Sequence, residues 1–241
     1  YRLLQGDVGC GKTVVAAAAM VRAADCGRQA VIMAPTELLA EQHQRTLTDL
    51  LEPVGLEPML LTGSVTGKRR EAVLESSRSG RAPVIVGTHA LIQEGVEFGS
   101  PGLVVIDEQH RFGVEQRRAL RDAGGAADTL VMTATPIPRS LALALYGDLD
   151  LSVIDQMPPG RKAVVTGVRG PADRPAAFEF LRDQLASGRQ AYVVYPLIDE
   201  SDAVEAAAAT RAAKDLAALF PEFRLDLLHG RMSGAEKEAI M

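Results

Sequence analysis

The 241 residues contain no tryptophan, two cysteines, four tyrosines and six phenylalanines. Two cysteines, Cys10 and Cys26, close together in sequence, exclude a disulfide framework and point to a reducing compartment. No apolar run approaches membrane-spanning length, which leaves a soluble, cytoplasmic chain with no membrane partner as the expectation. The formal net charge is -5, so nucleic acid is not held by bulk positive charge, and any such contact must be local and directional. The histidines His43, His89, His110 and His229 are widely separated and lack zinc-site spacing. No Leu-Ser-Gly-Gly-Gln signature precedes an acidic strand, which argues against a transport ATPase, and no short internal repeat is present.

Against these absences stands one complete string. Gly6-Asp7-Val8-Gly9-Cys10-Gly11-Lys12-Thr13 is a G-x-x-x-x-G-K-[ST] phosphate loop directly after the apolar run Leu3-Leu4. Glycines at 6, 9 and 11 permit a tight turn and let backbone N–H groups approach phosphate oxygens where a Cβ would intrude. Lys12 to Ala24, rich in Ala, Val and Met, is expected to be a helix whose positive end faces the anion. Lys12 is then the residue for the β- and γ-phosphates, and the Thr13 hydroxyl a ligand to Mg2+. The expected ligands are ATP and Mg2+.

Short Val/Ile/Leu runs alternate with helical stretches, the pattern of an α/β protein with a mostly parallel sheet. Strands are expected at Ala30–Met33, Met59–Leu61, Val84–Val86, Leu103–Ile106 and Thr129–Met132, with helices at Glu37–Leu51 and around Lys68–Ser77. Small and polar residues follow each strand, at the sheet edge where ligands bind in such folds. Met157-Pro158-Pro159-Gly160-Arg161 has linker character. Beyond it a second series is expected: strands near Lys162–Val168, Ala191–Tyr195 and Leu225–Leu228, helices at Asp173–Ser187 and Ala203–Phe220, and a last helix from near Ser233. The expected division is 1–152, a linker at 153–162, and an incomplete second domain at 163–241. The chain begins five residues before the loop and ends inside a helix, so it reads as a piece of a longer protein.

Asp107-Glu108 closes a four-residue apolar strand. Such a strand delivers paired carboxylates to the ligand edge, with Asp107 suited to Mg2+ and Glu108 to polarising the water that attacks the γ-phosphate.

Asp107-Glu108-Gln109-His110 fits the D-E-x-H box of superfamily 2 helicases. Ala34-Pro35-Thr36-Glu37, Gly87-Thr88-His89 and Thr133-Ala134-Thr135 fall in the order of their other motifs. The longer strings Gly87 to Ile92, Asp107 to Val114 and Ala134 to Arg139 resemble the bacterial branched-DNA helicases within that superfamily. Pro196 to Ser201 and Leu228 to Met232 extend the similarity into the second domain. The resemblance implies a RecA-like, ATP-hydrolysing motor domain followed by part of a second, acting on stalled forks and Holliday junctions in recombination and repair. It implies that Lys12, Thr13, Asp107 and Glu108 serve ATP. Pro35, Thr36, Gly63, Ser64, Thr88 and His89 would line a DNA track, making phosphate contacts that position a strand without reading its sequence. Helix capping is the other role open to Thr36. His110, Thr133 and Thr135 would couple the two.

Cys10 stands where the family more often has serine, which suggests that alkylating this thiol would perturb the loop. The adenine-contacting, wedge and arginine-bearing motifs of the family are not among these residues. The 241 residues alone are therefore expected to bind Mg-ATP weakly and to turn it over hardly at all, because an arginine finger is worth about 10³ to 10⁵ in rate. Other readings are the motor of a transcription-repair coupling factor, a P-loop switch, and a degenerate structural copy. His110 and Gly87–Ile92 favour the branched-DNA helicases over the first, and the intact phosphate loop and acidic pair oppose the last.

Overall fold

The structure, a computed structural model, describes residues 1–108, 125, 127–135, 150–156, 160, 162, 164–195, 202–230, 232 and 234–240. It divides into two compact units, Tyr1–Arg161 and Lys162–Met241.

In the first unit, β1 (Arg2–Gly6), β2 (Gln29–Met33), β3 (Pro58–Leu61), β4 (Val84–Gly87), β5 (Pro101–Asp107), β6 (Asp128–Thr133) and β7 (Asp150–Ile154) form one sheet with order β3-β4-β2-β5-β6-β1-β7. Every pairing is parallel. Parallel strands need crossovers, and α1 (Lys12–Asp25), α2 (Glu37–Leu51) and α3 (Gly67–Arg78) supply three of them.

The two-residue period of the strands separates two cores. Leu4, Ile32, Leu60, Val86, Val105 and Met132 face Ala16 and Met20 of α1 and Ala40, Leu47 and Leu51 of α2. Val31, Met33, Leu61, Ile85, Val104 and Ile106 form the other face with Val73 of α3 and with Ala90 and Leu91. Each fully buried Leu, Ile or Met contributes about 1.5–3 kcal/mol, so both faces contribute to holding the sheet between its helices. By the same alternation Asp107, in phase with Leu103 and Val105, belongs to the α1/α2 face.

One polar side chain is built into this packing. Gln29, buried at the start of β2, donates from Nε2 to the carbonyls of Ser77 (3.1 Å) and Ala82 (2.9 Å), and its Oε1 accepts from the Ser100 amide at 3.0 Å. The end of α3, the segment before β4 and the segment before β5 are thus pinned to one amide group.

β7 was not expected from the sequence. Its residues Asp-Leu-Ser-Val-Ile are half-exposed at the sheet edge, so they carry no continuous apolar run, yet they pair with β1 from Arg2↔Asp150 to Gly6↔Ile154. The sheet therefore extends two residues into the segment expected to be linker.

In the second unit the helices α4 (Arg174–Ala186), α5 (Asp202–Leu219) and α6 (Gly234–Ile240) match the helical expectations. Phe178 of α4 and Phe220 after α5 meet edge to face at 5.7 Å, and Arg182 lies 5.2 Å over the Phe220 ring while its Nε donates to Glu222 at 2.6 Å. The strands expected near 162–168, 191–195 and 225–228 are a correction: the described residues there form no ladder, and Val165 is 94% exposed. β-branched side chains favour a strand but do not make one, because strand stability comes from a paired neighbour and a covered face.

Candidate nucleotide site and adjoining track

The phosphate loop leaves β1 at Gly6. A Cβ on Gly6 would lie 2.5 Å from Cys10 Sγ and 3.1 Å from the Ile154 Cβ of β7, so only glycine lets the loop fold against the strand. Asp7 and Cys10 close a turn through Cys10 N–H to Asp7 O at 3.2 Å, and Gly9 (φ 77°) and Gly11 (φ 98°) take left-handed conformations that disfavour a side chain. Gly11 is the N-cap of α1 and provides no side-chain cap, and the first turn of the helix has no acidic residue. The first-turn amides are therefore directed out of the helix with Lys12 beside them. A cation at the positive end of a helix is electrostatically unfavourable by itself; an anion on that end reverses the sign. Lys12 Nζ lies across the loop, donating to the carbonyls of Gly6 (2.8 Å) and Asp7 (3.0 Å).

Asp107 and Glu108 stand at the end of β5, one strand from β6, which itself neighbours β1. Asp107 pairs in register with Met132, and the Glu108 amide continues the ladder to Met132 O at 3.0 Å. Glu108 has φ 49°, the one positive φ at a non-glycine among the described residues. Such a conformation costs about 1–3 kcal/mol and persists where its surroundings over-determine it, most often at working sites.

Asp107 Oδ2 lies 2.7 Å from His43 Nε2 of α2, with the two side chains only 13% and 12% exposed. Sequence reasoning considered His43 only as a zinc ligand and missed this contact. One signal was available: His43 falls on the helical stripe of Ala40, Leu47 and Leu51, a polar residue on a buried face.

The residue set fits a triphosphate and a hard cation. Anion donors converge at Gly9–Thr13, and Thr13 and Asp107 offer oxygen ligands. Among the described residues no group of three or more His, Cys, Asp or Glu could hold a metal. Two protein oxygens completed by phosphate and water is the habit of Mg2+.

The expected track residues gather on the other half of the sheet, after β2, β3 and β4. Thr36 caps α2 by accepting from Leu39 N at 3.3 Å, so its hydroxyl has the structural role that the sequence left open. Gly63 and Ser64 follow β3, exposed, and the Ser64 amide donates to Glu37 Oε1 at 3.1 Å. Thr88 is buried and caps a short 3-10 turn, His89–Ile92, by accepting from Ala90 N at 3.5 Å; His89 is exposed and Pro35 half-buried. Gly87 has no room for a Cβ, which would overlap the Leu61 carbonyl oxygen. Thr133 is buried, with its Oγ1 accepting from the Thr135 amide at 3.1 Å. His110 lies outside the described residues. No helix among the described residues is long and apolar enough to cross a membrane.

A parallel sheet flanked by helices, with a glycine-rich loop after β1 and an acidic pair at the end of β5, defines a P-loop protein of RecA-like fold. The DEAD/DEAH box helicase model matches residues 2–143, and the chain belongs to that family. It is similar to the ATP-dependent DNA helicase RecG of Thermotoga maritima, 51% identical over 242 residues, covering 100% of this chain and 31% of that protein. RecG of a Synechocystis species is 52% identical, with 100% of this chain and 29% of that protein covered. Among solved structures, RecG bound to a three-way DNA junction superposes with a TM-score of 0.76 at 44% identity, covering 99% of this chain and 31% of that one. The chain thus spans about a third of the length of the relatives it matches.

Proposed function

We propose that the protein carrying this chain is an ATP-dependent DNA helicase that remodels branched DNA, as the RecG relatives' name and the junction-bound structure describe for those proteins. The observation that carries the reading is the placement of the Gly6–Thr13 loop and Asp107-Glu108 at the same edge of the sheet, after β1 and β5 with only β6 between them, within a chain similar to RecG from end to end. The first unit is the ATP-binding motor domain, and Lys162 onward begins a second one.

Lys12 and the first-turn amides of α1 hold the β- and γ-phosphates. Thr13 and Asp107 hold Mg2+, which when bound withdraws charge from the phosphates. Glu108 orients the water and draws off its proton. Phosphoryl transfer of this kind is achieved mainly by positioning and electrostatic stabilisation. Pro35, Thr36, Gly63, Ser64, Thr88 and His89 line the DNA track, the buried Thr88 by shaping its turn. His110, Thr133 and Thr135 relay between track and nucleotide.

The test uses the full-length protein on a synthetic fork with Mg-ATP. Unwinding by the wild type, lost in Lys12→Ala while fork binding persists, supports the reading. Unwinding that survives Lys12→Ala, or its absence in the wild type, overturns it.

A further inference from the structure

We propose that His43 is a positioning residue for Asp107: it holds the carboxylate in the orientation that binds the divalent cation and ties that carboxylate to helix α2. The inference rests on the assignment of Asp107 to the cation made above.

The contact is short, 2.7 Å from Nε2 to Oδ2, and largely shielded from water, so it is stronger than an exposed pair of the same geometry. His43 reaches Asp107 because both belong to the α1/α2 face of the sheet, Asp107 through strand alternation and His43 through the stripe Ala40, Leu47 and Leu51. A carboxylate at a strand end retains rotation about its side-chain torsions. Fixing one oxygen fixes the plane of the group, and partners that hold ligating side chains in this way are typically worth 10–100-fold in metal affinity. The same helix starts at Thr36 and Glu37, and Glu37 holds the Ser64 amide. Six residues of helix, about 9 Å, therefore separate the track contact from the residue that aims the cation ligand. His43 is thus placed to tie cation binding to the position of α2.

The experiment compares wild type, His43→Leu and His43→Gln in the full-length protein, since Gln offers a donor near the position of Nε2 and Leu does not. Mn2+ binding in the presence of ADP is read by electron paramagnetic resonance, and fluorescent ADP affinity is read separately in EDTA. Expected for His43→Leu is Mn2+ affinity at least three-fold and up to about 100-fold weaker, metal-free ADP affinity within two-fold, and recovery of most of the loss in His43→Gln. Mn2+ affinity within three-fold of wild type in His43→Leu overturns the proposal. So does an equal loss in both variants accompanied by weaker metal-free ADP binding, the mark of a merely structural role. If wild type itself fails to bind Mn2+ with ADP, the nucleotide reading falls, and this inference with it.

Discussion

Glu37 Oε1 and the Ser64 amide, 27 positions apart in sequence, are joined at 3.1 Å across the carboxyl edge of the sheet. The bond fastens the first turn of α2 to the turn after β3, two of the segments assigned to the DNA track. Glu37→Ala in the full-length protein should weaken fork binding about three- to ten-fold, the worth of a hydrogen bond of about 1 kcal/mol, with Mg-nucleotide affinity unchanged. Fluorescence anisotropy with labelled fork reads the first and fluorescent ADP the second. Unaltered fork affinity would remove this contact from the track.

Glu108 separates chemistry from conformation. Glu108→Gln keeps the side-chain volume and removes the proton acceptor, so steady-state hydrolysis should fall about 10²- to 10⁴-fold with the melting temperature nearly unchanged. Glu108→Val should also lose hydrolysis, and in addition cost about 1–3 kcal/mol, because a β-branched residue is poorly accommodated at φ 49°. Calorimetric melts of the two variants that coincide would contradict the strained backbone.

Gln29→Leu should destabilise the first unit by about 3 kcal/mol or more. The substitution leaves the Ala82 carbonyl and the Ser100 amide without their side-chain partner and takes one donor from the Ser77 carbonyl, which keeps the Gly80 and Gly99 amides, and a buried polar group left unpaired costs about 1–3 kcal/mol. Hydrogen exchange should locate the damage, with the Ser100 amide exchanging faster while amides of β1 and β6 are less affected. Exchange at Ser100 as slow as in wild type would refute the pinning role.

In the second unit, a backbone hydrogen bond at Glu222 and then the bond and charge of Arg182 hold the Glu222 carboxyl below its ordinary value of 4.5. Because the folded value is the lower one, the stabilisation is present above the ordinary carboxyl range and is lost as pH falls through the lowered value. A carboxyl NMR titration should place Glu222 below 4.5, and Arg182→Ala should move it upward without restoring it fully, since the backbone bond remains. A midpoint insensitive to Arg182 would show that the pair at 2.6 Å does not persist in solution.

What was legible in the sequence was what local chemistry dictates. Thr36 before the stripe Leu39, Ala40, Leu47 and Leu51 marks a capped amphipathic helix, and α2 has the expected bounds, Glu37–Leu51. Five buried strands announce themselves as Val/Ile/Leu runs, and the loop and acidic pair follow from spacing. What was hidden depends on partners far along the chain. β7 is a strand because β1 lies beside it, although Asp150 and Ser152 break its apolar pattern. Val164 and Val165 have strand character but pair with no strand among the described residues. His43 acquires its role from a residue 64 positions away, and no window of sequence contains both.

The strand order works as a fixed ruler. β2 and β1 are separated by β5 and β6, three inter-strand steps of about 4.8 Å each, so the start of the track stands about 14 Å from the phosphate loop. Hydrogen-bonded parallel strands packed on both faces do not stretch, and that interval stays constant through any cycle of binding and release. The first unit therefore keeps the segments proposed for nucleic acid and the phosphate loop at a set separation, as a rigid gauge. Any stroke the protein makes must come from rotation of bodies against this gauge, or from helices sliding on its face, and never from the sheet itself.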